Sequence, residues 1–467
     1  MTDEALGDDG SQRPAGRWAG MRGLQGSLGW LATGWWIDRP ALAGVVRFLF
    51  PLSRVWAAAD LADGDVARLA HAVPMPIPGW LRGRTEQALA KVREARAAAQ
   101  AAIEARNALF WSCDAPAAER LQAEESRRIA ATDRYMNSRV SFWHLRAFGK
   151  PPPLRLHVKT PDEVHGEIGD AARETAAWFA PPDGDAIEAS HTIRVSATRE
   201  DCWLRLRSPV LGDSYTVRVR APVGVTDPPT VIYGSGVGME TDLWCDPLDD
   251  FAAFLDRGMR VVELCSPWHG VRRLPGWWSG EPFFGTAPLG PITLFRAQAL
   301  EIAALTAWAR RTSAGPVALA GVSLGALAAQ VAASASADWP KAQQADAMLL
   351  LTTAERLDRL TFDSALARGL GLDRALTAAG WTLPLLAPLR PLTDPVRTPP
   401  MGGGNIVMVL GTEDAVTPYA SGAATAERWC VPEANMFVGK RGHFSTPINA
   451  LRDQRPLDRL AALLRGA

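Results

Sequence analysis

The stretch from Pro316 to Ala335, PVALAGVSLGALAAQVAASA, constrains the fold more than any other part of the chain. It opens with a short apolar run, turns through Gly321-Val322-Ser323-Leu324-Gly325, and continues into sequence rich in Ala and Leu with no helix breaker. A serine between two spaced glycines is weak evidence alone, because a glycine-rich chain produces that pattern by chance. The setting sharpens it. A strand that feeds a helix through so tight a turn needs small residues at its corners, and it lifts the apex residue, Ser323, clear of the sheet. The first N–H groups of the helix then lie where negative charge on a bound group would be favoured. The competing reading is a plain β–α turn made of glycine and serine.

The surrounding pattern supplies a sheet for this turn. HTIRVSA, CWLRLRS and SYTVRVRAP, from residue 191 onward, alternate apolar and polar residues as half-exposed strands do, with His191 in an edge strand. Continuous apolar runs follow at Thr230–Tyr233, Arg260–Leu264, Val317–Ala320, Met348–Leu351, Ile406–Leu410 and Asn435–Val438. Runs of that kind suit strands buried on both faces. Helical stretches such as Leu294–Ala309 and Leu324–Ala335 lie between them. The expected class is α/β: a mostly parallel central sheet with helices on both faces and an antiparallel edge at its start. No internal repeat is present.

Two further residues fall where a serine at such a turn would need them. His443, in GKRGHFS, follows the last apolar run. Asp414, in IVMVLGTEDAVTP, follows the run before it. A base beside the serine hydroxyl can take its proton, and a carboxylate on the far ring nitrogen fixes the tautomer. Of the seven histidines, His71, His144, His157 and His165 lie outside the α/β unit, and His269 is the one other candidate for the pocket. Glu413 and Glu355 compete with Asp414 as the acid, and Asp414 also suits the N-cap of the following helix. The candidate catalytic residues are therefore Ser323, Asp414 and His443.

An oxyanion formed at Ser323 would need two N–H donors. Leu324, the residue after the serine, supplies one. The glycine-rich loop Tyr233–Gly238 is placed to supply the other through Ser235 or Gly236. That loop lacks the GxGxxG and Walker A patterns of nucleotide sites. With no HExxH or EF-hand sequence, neither a metal nor another cofactor is expected. The loop Ser266–Thr293 follows a core strand, and its Trp268, His269, Trp277 and Trp278 are expected to line the substrate pocket, unless they only anchor the loop. The segment 362–399 reads as a helical insertion, either a lid or a packed hairpin.

Composition excludes several partners. The chain of 467 residues carries 50 Lys and Arg against 50 Asp and Glu. A chain with that balance gives no electrostatic case for nucleic acid. Five widely spaced cysteines without a CxxC pair fit a reduced, cytoplasmic setting, and the acidic N-terminus does not read as a signal peptide. Residues 1–16 are expected to be disordered. Residues 17–185 form a helical extension, with helices over Arg82–Leu109 and from Ala117 to about Phe148, ended by Gly149 and Pro151–Pro153. The tryptophan-rich segment 28–61 packs on the body or touches a membrane surface peripherally. The α/β unit spans 186–467.

With these residues in place, the chain resembles the α/β-hydrolase superfamily over about 190–467. Within it, GSGVG, SPWHGVRR and GVSLGALAAQVAAS are similar to the group containing α/β-hydrolase domain-containing protein 18, through Gly234-Ser235-Gly236 and Pro267-Trp268-His269-Gly270-Val271-Arg272. The resemblance implies acyl transfer to water from a small-molecule or lipid ester. An acyltransferase using the same residues, and a non-catalytic interaction module on the same fold, are the alternatives.

Overall fold

The computed structural model describes residues 33–182, 187–240, 243 and 251–466. The disorder expected of 1–16, and residues 28–32 of the tryptophan-rich segment, lie outside these. Among the described residues, ten strands make one sheet: β1 (Glu188–Ala189), β2 (Ile193–Ser196), β3 (Arg199–Arg207), β4 (Ser214–Pro222), β5 (Thr230–Gly234), β6 (Arg260–Glu263), β7 (Val317–Val322), β8 (Ala347–Leu351), β9 (Ile406–Gly411) and β10 (Met436–Gly439). Their order is β1-β3-β4-β6-β5-β7-β8-β9-β10, with β2 on β3. The pairings among β1 to β4, and of β4 with β6, are antiparallel, and the remaining pairings are parallel. This is the α/β-hydrolase fold.

The continuous apolar runs are explained by burial on two faces. Ile232, Val262, Leu319, Met348, Leu350 and Met408 point into one core, and Val231, Val261, Ala318, Leu349, Val407 and Val409 into another on the opposite side. The first core lies under the helices Leu289–Thr312 and Leu324–Ala335. The second lies under the C-terminal helix Arg455–Arg465, through Leu457, Leu460 and Leu464. Alternate residues of one strand thus face different layers, as the pleat requires.

The N-terminal helices are not a separate body. Phe50, Val55, Trp56 and Phe142 belong to the same apolar cluster as Leu204, Phe295 and Leu324. Among the described residues, the first of these helices, Trp35–Ala62, has 28 residues and contains a π-helical turn at Val45–Leu49. It is long and apolar enough to cross a membrane, but more than half of its most apolar stretch is buried against the rest of the protein. Two expectations need correction. The helical run after Ala117 is interrupted by a 3-10 turn at Ser138–Phe142, between the helices Ala118–Asn137 and Trp143–Gly149. His191 lies in the connection between β1 and β2, where its backbone N–H donates to Phe110 O.

Candidate active site

The turn from β7 into the helix Leu324–Ala335 is built from close backbone contact. Ser323 has φ 53° and ψ −117°, a region that L-residues seldom occupy. A Cβ on Gly321 would lie 2.4 Å from the Gly325 carbonyl carbon. No larger residue fits there without moving backbone. Strain concentrated at one residue and supported by glycines on both sides is the pattern expected of a site residue.

Ser323, His443 and Asp414 form a hydrogen-bonded series. His443 Nε2 is 2.9 Å from Ser323 Oγ, and His443 Nδ1 is 2.9 Å from Asp414 Oδ2. Asp414 is buried, which opposes its ionisation. The facing His443 charge and the hydrogen bonds from His443 and Thr417 outweigh that penalty and hold its carboxyl below the ordinary range. The backbone N–H groups of Val416 and Thr417 donate to Oδ1, and the Thr417 hydroxyl donates to Oδ2. Asp414 therefore closes its own turn rather than capping the helix Tyr419–Arg428, whose N-cap is Pro418. Of the two competitors, Glu413 is exposed and Glu355 pairs with Arg428.

The loop after β5 passes in front of the serine. A Cβ on Gly236 would come within 3.8 Å of Ser323 Cβ, and Ser235 and Gly236 line the same cavity as Ser323. Leu324 opens the helix beside them. Among the described residues, two cavities meet at Ser323. The larger, about 420 Å³, is mostly apolar; Val45, Leu49 and Phe50 of the first helix form one wall, and Phe444, Pro447 and Ile448 another. The smaller, about 60 Å³, is lined by Phe283, Phe284, Leu357, Leu360 and Leu324. Leu366, in the insertion 362–399, lines both. That insertion is a set of short packed helices against the site.

Trp268, His269, Trp277 and Trp278, expected in the pocket, line neither cavity. Trp278 and His269 instead support residues that line the larger cavity, Phe50 and Gly238. Trp278 stacks on Phe50 at 4.2 Å and donates to Pro153 O. Trp277 packs on His157 and Arg155. The Trp268 carbonyl accepts from Gly280 N–H. His269 is buried, and burial pushes its pKa down to about 4, so it is neutral. Its Nδ1 faces Pro267 O, and its Nε2 accepts the N–H of Gly238 in the loop beside Ser323. Aromatic content announces burial, not which surface of a loop is buried, and so misleads here. Arg272, at the end of the run Pro267–Arg272, is likewise structural in setting. It is buried between Glu301 and Asp213.

The sequence gives no sign of three contributors. Thr417 touches both Asp414 and His443. The N-terminal helix supplies a cavity wall. Asp38, on that helix, bonds to the loop carrying His443. Among the described residues, no group of three or more His, Cys, Asp or Glu is placed to hold a metal ion.

No family model and no curated protein matches the chain. Solved structures are similar at low identity. Acetyl xylan esterase 1 from Thermoanaerobacterium sp. JW/SL YS485 is 14% identical with a TM-score of 0.47, covering 66% of this chain and 96% of that one. TT1662 from Thermus thermophilus is 21% identical with a TM-score of 0.38, over 56% and 97%. Oligopeptidase B from Leishmania major is 16% identical with a TM-score of 0.41, over 58% of this chain and 37% of that one. The strand order and the turn at Ser323 carry the fold assignment by themselves.

Proposed function

We propose that the protein is a serine hydrolase that cleaves a carboxylic ester with an apolar acyl or alcohol part. The observation that carries this reading is the Asp414–His443–Ser323 series at the end of the parallel strands, with both ring nitrogens of His443 at 2.9 Å from their partners. His443 takes the proton from Ser323 Oγ as that oxygen attacks the ester carbonyl. Asp414 holds the Nδ1–H tautomer and stabilises the imidazolium. The N–H of Leu324 and one N–H from Ser235 or Gly236 receive the developing oxyanion. His443 returns its proton to the leaving alcohol, an acyl-Ser323 remains, and water activated by His443 releases it. The apolar cavity of about 420 Å³ is of a size that encloses most of a small ligand. Kinship with the domain-containing protein 18 group is a further proposal resting on the sequence motifs.

The test is labelling with a fluorophosphonate probe, wild type against Ser323→Ala, with the modified peptide identified by mass spectrometry. Labelling confined to Ser323 and lost in the variant supports the reading. A folded wild type that takes no label and hydrolyses no ester overturns it. An ester substrate that yields acylated product only when a second alcohol is added would make the enzyme an acyltransferase.

A further inference from the structure

We propose that Asp38, on the N-terminal helix, is a positioning residue for His443: its carboxylate fixes loop 442–445 and through it the imidazole between Ser323 and Asp414. This rests on the serine-hydrolase reading above. Asp38 is buried, and a buried carboxylate is tolerated only when its oxygens are satisfied. The partners come from a segment some 400 positions away. Oδ1 accepts the N–H of Phe444 at 2.6 Å and of Ser445 at 3.1 Å. Oδ2 accepts the N–H of Gly442 at 3.2 Å and the hydroxyl of Ser445 at 2.5 Å. These donors flank His443 on both sides, and none belongs to its ring.

The loop has no slack against this carboxylate. A Cβ on Gly442 would lie 2.3 Å from Asp38 Cγ. Ser445 Oγ also accepts from Gly442 N–H, so both ends of the loop meet at one oxygen of Asp38. Thr33, in the same N-terminal segment, adds two tethers: its carbonyl accepts from Arg441 and its hydroxyl from Arg452. An acidic residue in the first turn of a helix ordinarily serves its own helix dipole. Here its oxygens are turned to a loop more than 400 positions away. Residues 442–444 follow the end of β10 with no regular structure of their own, and Ser445 opens the short helix Ser445–Ala450. The position of the ring therefore depends on what grips the backbone beside it.

The test compares wild type, Asp38→Ala and Asp38→Asn in two ways. One is steady-state hydrolysis of a p-nitrophenyl ester; the other is amide hydrogen exchange of the peptide around 440–448, read by mass spectrometry. Loss of the carboxylate is expected to speed exchange in that peptide. It is also expected to lower kcat by about 100-fold, the scale of an ångström-sized misplacement, with KM nearly unchanged. Asp38→Asn recovers part of kcat, because one amide oxygen can still accept from Phe444 and Ser445. Unchanged exchange in Asp38→Ala overturns the clamp. A loosened loop with unchanged kcat overturns the positioning role. Faster exchange across the whole N-terminal helix, with no recovery in Asp38→Asn, makes Asp38 merely structural and also overturns it. A folded wild type that takes no fluorophosphonate label and cleaves no ester defeats the serine-hydrolase reading and the catalytic half of this one, while the exchange data still judge the clamp.

Discussion

Gly325 and Gly234 meet backbone to backbone: a Cβ on Gly325 would fall 2.0 Å from the carbonyl oxygen of Gly234. The turn bearing Ser323 and the loop bearing Ser235 and Gly236 are thereby set against each other with no side chain between. Gly325→Ala must push the two apart. Overpacking of this kind costs about 1–3 kcal/mol, and the displaced loop should lower kcat beyond what the stability loss explains. Thermal unfolding and ester hydrolysis on the same preparation measure both parts.

Asp414→Asn keeps the size of the side chain and removes its charge. Nδ1 of His443 then faces a group that can present N–H, which favours the wrong tautomer. We expect kcat to fall by about 10⁴-fold with the structure preserved. Steady-state kinetics together with a circular dichroism spectrum superimposable on wild type would show it; a fall below tenfold would point to another acid.

His269 gives a pH signature. Its folded pKa is about 4, depressed by burial from an ordinary 6.5. The unfolded chain therefore binds the extra proton first as pH falls. Stability from this group is fully present above pH 6.5 and is lost down to about pH 4. The loss is about 3 kcal/mol. His269→Gln can still accept from Gly238 N–H but does not titrate. Urea denaturation between those pH values should show a shallower acid decline in the variant by that amount.

The wall contributed by Val45 makes chain length selectable. Val45→Trp fills part of the larger cavity. Along a series of p-nitrophenyl esters, kcat/KM for long acyl chains should fall relative to acetate by about 10-fold or more, since a methylene in a fitted pocket is worth about 1–3 kcal/mol. An unaltered profile would mean that the acyl group does not occupy this cavity.

Arg54 and Glu281 form a buried pair at 3.4 Å that ties the first helix to the loop after β6. Burial raises the Glu281 pKa to about 7, with Arg54 opposing the rise. Arg54→Met leaves the carboxylate without its cation, at a cost of about 3–5 kcal/mol. The penalty should shrink on moving from pH 8 to pH 5, because Glu281 then takes up a proton. Denaturant midpoints at the two pH values decide it.

Strand positions were legible because a parallel sheet covered on both faces demands unbroken apolar runs. Val317–Ala320 and Met348–Leu351 lie within β7 and β8, and the ends differ by a residue or two. Ser323, Asp414 and His443 were legible because each follows the end of such a run. The bracing residues were not. Asp38 is separated from its partners by most of the chain, and nothing near it distinguishes a carboxylate that grips a distant loop from one that faces water. In the loop after β6, Trp278 is buried and Trp268 and Trp277 are half-buried, and their residue type does not say against what they pack.

The contact between Asp38 and Gly442 joins residues 404 positions apart. During synthesis the helix must wait for a loop made 404 residues later. Contacts of such range form slowly, because the intervening chain must be ordered before they close. On the proposed role of Asp38, a nascent chain carries Ser323 long before it can use it. The reactive serine is assembled only after the ribosome has released the segment beyond Ser445, which would keep a half-made protein from acting on esters around it.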